Sequence, residues 1–277
     1  MTTPLRLTPG RVLVLILGVP IVLAFIAWIG LTEVAYAGQD TYPVRLAVPV
    51  HGGTASLSAG SADVRVTQGA GRRLRLTGTA RYSIVRSTVT LRTTSSGVTV
   101  MPQCHFVIAV CSFDFAAVLP EGKHAQVSAG SGDLTLTGLT GPVTAGSGSG
   151  DVRADLLSGA VSLQSGSGDI SGDALSGPQV TLKDEWGDIA IAGLAGGHVV
   201  ASASSGDIAL TFTKVPALVQ VSDSSGDVTL VLPPGGTRYR VHASTVSGDR
   251  AVSVPTSSAS RHVITVTSSS GDISIIN

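Results

Sequence analysis

From residue 127 onward the apolar positions keep a fixed beat. After Asp133 come Leu134, Leu136, Leu139, Val143 and Ala145; after Asp151 come Val152, Ala154, Leu157, Val161 and Leu163. After Asp188 the series is Ile189, Ile191, Leu194, Val199 and Ala201. The i, i+2 pairs have the period of a strand, and the Gly between pairs marks a turn. Each unit reads as turn, short strand, turn, short strand.

Gly-Asp punctuates these units, with Asp at 133, 151, 169, 188, 207, 227, 249 and 272 and spacings of 18, 18, 19, 19, 20, 22 and 23 residues. A degenerate forerunner, "SAGSADVRV", places Asp63 in the same role. A period of about 20 residues points to a solenoid whose single coils cannot bury their inner faces alone. The expected fold is all-β: a parallel, β-helix-like solenoid of 18–23-residue coils. It would occupy residues 41–277, with regular repeats over 127–277. An antiparallel β-sandwich of the same hairpins is the alternative, because period alone does not set strand direction.

A different pattern opens the chain. Residues 12–31 carry no charge and would span about 30 Å as a helix, the thickness of a bilayer core. Arg6 and Arg11 precede this run, and Glu33 and Asp40 follow it. The positive-inside rule puts residues 1–11 in the cytoplasm. Residues 12–31 are then a transmembrane helix or signal anchor, 32–40 a linker, and the rest an extracytoplasmic domain on a single-pass membrane protein. Trp28 suits the outer interface. The alternative is secretion after cleavage near Ala37, since Ala35-Tyr36-Ala37 has the A-x-A form. Either route is compatible with a disulfide between Cys104 and Cys111, worth about 2–3 kcal/mol. The pair lacks metal-site spacing and has no second pair to complete a zinc site.

The repeated Gly-Asp has a structural reading and a chemical one. Gly allows positive φ, or a corner with no room for Cβ. Asp can accept hydrogen bonds from amides just after it, as in an Asx turn. The chemical alternative is calcium: stacked carboxylates about 5 Å apart repel by roughly 1 kcal/mol per pair in water, which a cation would relieve. Calcium-binding β-rolls, however, use a nine-residue period. The expectation is therefore a structural turn with no cofactor, and a calcium-binding β-roll-like domain as an alternative.

Composition adds a charge split to a neutral total. Residues 41–100 hold eight Arg against Asp63 alone, a balance of +7, and residues 101–277 balance at −7. Zero net charge gives no whole-molecule field for nucleic acid. In "GRRLRLTGTARYSIVRSTVTLR", Arg73 and Arg75 alternate with Leu74 and Leu76, so one strand face is basic. That face is solvated, or it meets an anionic cell-wall polymer or lipid head groups. In "TLKDEWGDI", Trp186 replaces the usual Ser beside Lys183, Asp184 and Glu185. This segment caps an edge, contacts a sugar, or holds the carboxylate pair a hydrolase needs. The six His lack metal-ligand spacing, and no nucleophile elbow or P-loop occurs.

The serial units "SGSGDV", "SGSGDI", "SSGDIAL" and "SSGDVTL", with the lead-ins "LPEGKHAQVSAGSGDLTL" and "LPPGGTRYRVHASTVSGD", resemble a bacterial family named "putative adhesin", a domain of unknown function made of β-strand repeats. The resemblance covers about residues 41–277. It implies an exported or membrane-anchored solenoid-like domain and no reaction. The expected function is a non-enzymatic surface binding or adhesion module, or an envelope spacer. The alternative is a polysaccharide hydrolase or lyase on the same fold.

Overall fold

The computed structural model describes residues 20–30, 39–50, 52–83, 87–94, 97–103 and 111–277. Each Gly-Asp unit contributes one strand to each of two sheets. In the Asp151 coil, Val143–Ser147 joins an 11-stranded sheet and Val152–Asp155 joins a 12-stranded sheet. Equivalent strands of successive coils pair in parallel, in register. Leu134 lies opposite Val152, followed by Ile170, Ile189, Ile208, Val228 and Ile273. The other sheet supplies Ala125, Val143, Val161, Val180, Val199, Val219 and Ile264. Both rows are buried, and each large apolar side chain so buried contributes about 1.5–3 kcal/mol. The parallel solenoid expected from the sequence is the fold.

Two features depart from simple stacking. The spatial order of corner aspartates is Asp63, Asp133, Asp151, Asp169, Asp188, Asp207, Asp227, Asp272 and then Asp249. The last coil of the chain therefore sits inside the stack, and the coil before it forms the end. The opposite end repeats this exchange: the strands Gly97–Gln103 and Cys111–Pro120 stack outside the Asp63 coil.

Beyond them the pairing becomes antiparallel. Arg73–Ser83 pairs with Cys111–Pro120, Gln39–Pro49 with Arg73–Ser83, and Thr88–Thr93 with Gly97–Gln103. Residues 67–118 have no Gly-Asp pair.

Residues 20–30 form a helix that exposes Ile21, Leu23, Phe25 and Trp28. Among the described residues no helix is long and apolar enough to cross a membrane. Residues 12–19 and 31 of the expected span, the Ala35–Ala37 site and Cys104 of the expected disulfide lie outside the described residues.

Candidate functional site

The corner aspartates form an exposed column along one edge of the stack. Each backbone N–H donates to Oδ1 of the aspartate one coil earlier in space, at 2.7–3.0 Å, from Asp63 through to Asp249. The acceptor role expected of Asp is present, but its donor is the equivalent amide of the next coil, not a later amide of the same turn. The reason is stacking: in-register parallel corners bring each carboxylate over the next Asp amide. These charge-assisted bonds oppose the repulsion between neighbouring carboxylates. Among the described residues no group of three or more His, Cys, Asp or Glu side chains is arranged to hold a metal ion.

From Asp133 onward a glycine precedes each corner aspartate, and stacking of the coils requires it. A Cβ on Gly150 would lie 2.3 Å from the Gly132 carbonyl oxygen, and one on Gly168 would lie 2.4 Å from that of Gly150. At these two positions close approach, rather than positive φ, selects glycine.

The "KDEW" segment does not assemble as one site. Lys183, Glu185 and Trp186 are exposed, whereas Asp184 points into the stack and is 2% exposed. Its Oδ1 accepts from the amides of Gly187 (3.0 Å) and Trp186 (3.2 Å). Burial pushes the Asp184 carboxyl above the ordinary value, against the lowering effect of those amides. Asp184 and Glu185 thus face opposite sides of the corner and do not form an open carboxylate pair of the kind that flanks a glycosidic bond.

The basic residues do converge. Arg73 and Arg75 are exposed on the outer face of the 12-stranded sheet, while Leu74 and Leu76 are buried beneath them. Register adds two arginines to this face. Arg45 opposes Thr77, Thr77 opposes Ala116, and Ala116 opposes Arg65. Arg45, Arg65, Arg73 and Arg75 have no ion-pair partner among the described residues, while Arg81 pairs with Asp114 at 3.5 Å. Next to Arg65 an open cleft of about 430 Å³ is lined by Asp63, Thr77, Thr79, Asp114 and Asp133.

The sequence reading missed Arg45 and Arg65. Their signal was available in "PVRLAV" and "DVRV", where Arg alternates with apolar residues. That these strands share a sheet face with Arg73 is decided by pairing across 32 to 51 residues, which no local pattern reveals.

Residues 55–276 match the family described as Toastrack DUF4097. A crystal structure of a putative adhesin from Parabacteroides distasonis is similar over 85% of this chain and 96% of that one, with 12% identity and a TM-score of 0.56. One from Parabacteroides merdae is similar over 84% and 95%, with 12% identity and a TM-score of 0.51. At these identities the likeness is one of fold. No curated protein matches the chain. With the match running through nearly every coil of the stack, the chain belongs to the Toastrack DUF4097 family.

Proposed function

We propose that this protein is a membrane-tethered, extracytoplasmic binding module that holds an anionic envelope polymer, without catalysing a reaction on it. The observation that carries this reading is the group of four arginines, Arg45, Arg65, Arg73 and Arg75, unpaired among the described residues on one sheet face. Guanidinium groups suit carboxylate and phosphate because their donors form a planar fork. Neighbouring strands lie about 4.8 Å apart, with Cys111–Pro120 between the strand of Arg65 and that of Arg73 and Arg75, so the guanidinium groups are spread over four strands as a repeating charged chain would need.

Three further points support the reading. The adhesin names of the structural neighbours agree with a surface-exposed task. The uncharged run 12–31, with Arg6 and Arg11 before it, supports a single-pass anchor with the β-domain outside. Gln39, where the first strand begins, follows Gly30 by nine residues, a reach of at most roughly 30 Å, so the basic strands stay near the anchor. Against a hydrolase or lyase stands the burial of Asp184.

The test uses the full chain in detergent micelles and a purified polyanionic cell-wall polymer, with anionic vesicles as a second surface. Retention should fall as salt rises, because exposed charges are screened within about 10 Å at 0.1 M salt. Arg73→Glu combined with Arg75→Glu should weaken retention by about tenfold or more. Unchanged retention would remove the arginine face from the function. Sugar released from the polymer would make the protein an enzyme instead.

A further inference from the structure

Beneath the exposed aspartate column runs a second, inward-facing row, formed by the residue four places before each corner aspartate. Its middle members are Ser147, Ser165, Asp184, Ala203, Asp223 and Ser268, all buried. The serines show what this position does. Ser165 Oγ accepts from the Gly168 amide at 3.0 Å and donates to the Gly150 carbonyl, one coil back, at 3.3 Å. Ser147 does the same with Gly150 at 2.9 Å and Gly132 at 3.0 Å. At the far end of the row Thr245 donates to the Gly271 carbonyl at 3.0 Å. The position thus takes an amide hydrogen and supplies a hydrogen to a neighbouring carbonyl.

Asp184 fulfils the first half only. Its Oδ1 accepts from the amides of Gly187 and Trp186, but Oδ2 is buried with no hydrogen-bond partner among the described residues. A carboxylate has no hydrogen to give to Gly168, the carbonyl that is one coil back. Asp223, 6% exposed, is more isolated. Its corner glycine turns its amide to the Ser270 carbonyl at 3.0 Å, and neither carboxyl oxygen of Asp223 has a hydrogen-bond partner. Ser268, its neighbour in the row, also has an unpartnered Oγ. An unpaired carboxylate in such a place is costly, and a proton removes the cost.

We propose that Asp184 and Asp223 are carried as protonated carboxyls above the pH at which a free aspartate loses its proton. Each then stands in for the serine hydroxyl, and loss of the Asp184 proton unlocks the corner that displays Trp186. The ionised Asp184 swings toward water and releases the Trp186 and Gly187 amides.

The surroundings agree. Asp169 faces Asp184, and Asp207 and Asp227 face Asp223, all of like charge. Lys183 and Glu185 beside Asp184 are exposed, and neither buried aspartate forms an ion pair among the described residues. Burial raises both carboxyls above the ordinary 3.8. The Ser224 and Ser225 amides pull Asp223 the other way without forming a hydrogen bond of normal geometry to it. The sign follows: a raised folded-state value gives stability that is full below 3.8 and is lost as pH rises through the folded-state value.

The test compares the full chain in micelles with Asp184→Asn, Asp223→Asn and the double variant, from about pH 4.5 to 8. An asparagine accepts the same amides and donates to the same carbonyl, but has no proton to lose. The wild type should show an infrared band of protonated carboxylic acid that persists above the pH at which the double variant's band fades. Its unfolding equilibrium should shift by up to about tenfold per pH unit for each group while that group titrates. Amide exchange at Trp186 and Gly187, corrected for intrinsic rate, should rise with pH in the wild type and in Asp223→Asn, but not in Asp184→Asn. A wild-type band that fades with rising pH as ordinary carboxyls do would overturn the proposal, even if the variants fail to fold. So would a double variant that keeps the wild-type pH dependence.

Discussion

A single residue in this chain is judged by what lies one coil away. Gly53 lies outside the Gly-Asp series and Gly168 within it. A Cβ on Gly53 would meet nothing within 4 Å, whereas one on Gly168 would run into the Gly150 carbonyl. Gly168→Ala should therefore destabilise the chain by about 1–3 kcal/mol, the usual cost of forcing extra volume into a packed site. Gly53→Ala should be nearly neutral. Denaturant unfolding of the two variants side by side checks this, and equal costs would mean that the corners are not in stacking contact. The same logic separates the two classes of aspartate. Those followed by the next coil's amide are exposed acceptors, and Asp184 and Asp223, four residues earlier in their coils, are buried.

Among the elements, the short strands are regular and the corners between them are not. On the edge opposite the aspartate column, Gly138, Leu156, Ala174 and Gly193 occupy equivalent places, with φ of 68°, 58°, 57° and 65°. Left-handed backbone at a non-glycine residue costs about 1–2 kcal/mol, and Leu156 is 61% exposed, so little burial offsets it. Asn tolerates this region better than Leu does. Leu156→Asn should raise the unfolding midpoint, by up to about 1 kcal/mol in stability. A loss of stability would indicate that the Leu156 side chain makes a contact worth more than the strain.

For the molecule as a whole, the order of coils matters more than their number. The C-terminal strands Val263–Ser270 and Ile273–Ile276 are paired on both sides, by the Asp227 coil and by the Asp249 coil. The chain end is thus held inside the stack instead of forming its edge, where unpaired strand groups invite fraying and association. Removing residues 263–277 should release the Asp249 coil as well, because its stacking partner is gone. Limited proteolysis should then cut first within 240–262. If that segment stays protected, the Asp249 coil can dock directly on the Asp227 coil. At the other end the prolines Pro43 and Pro49 lie in the edge strand Gln39–Pro49, which limits further pairing there.

The sequence by itself determined the coil: its length, its two strands, its apolar positions and the glycine-aspartate corner. These follow from local periodicity and from the steric needs of a tight turn, which are written in adjacent residues. Even the basic face was half visible, as Arg73 and Arg75 alternating with leucines. Tertiary structure alone decided which coil lies next to which. It brought Arg45 and Arg65 to the face of Arg73 and turned the Asx-type acceptor of the reading into a bond between coils. It also buried Asp184 behind Trp186 and left Asp223 without a partner. Each of these depends on contacts between residues 18 to 70 positions apart. A local pattern cannot specify such contacts, because every coil offers nearly the same surface to every other.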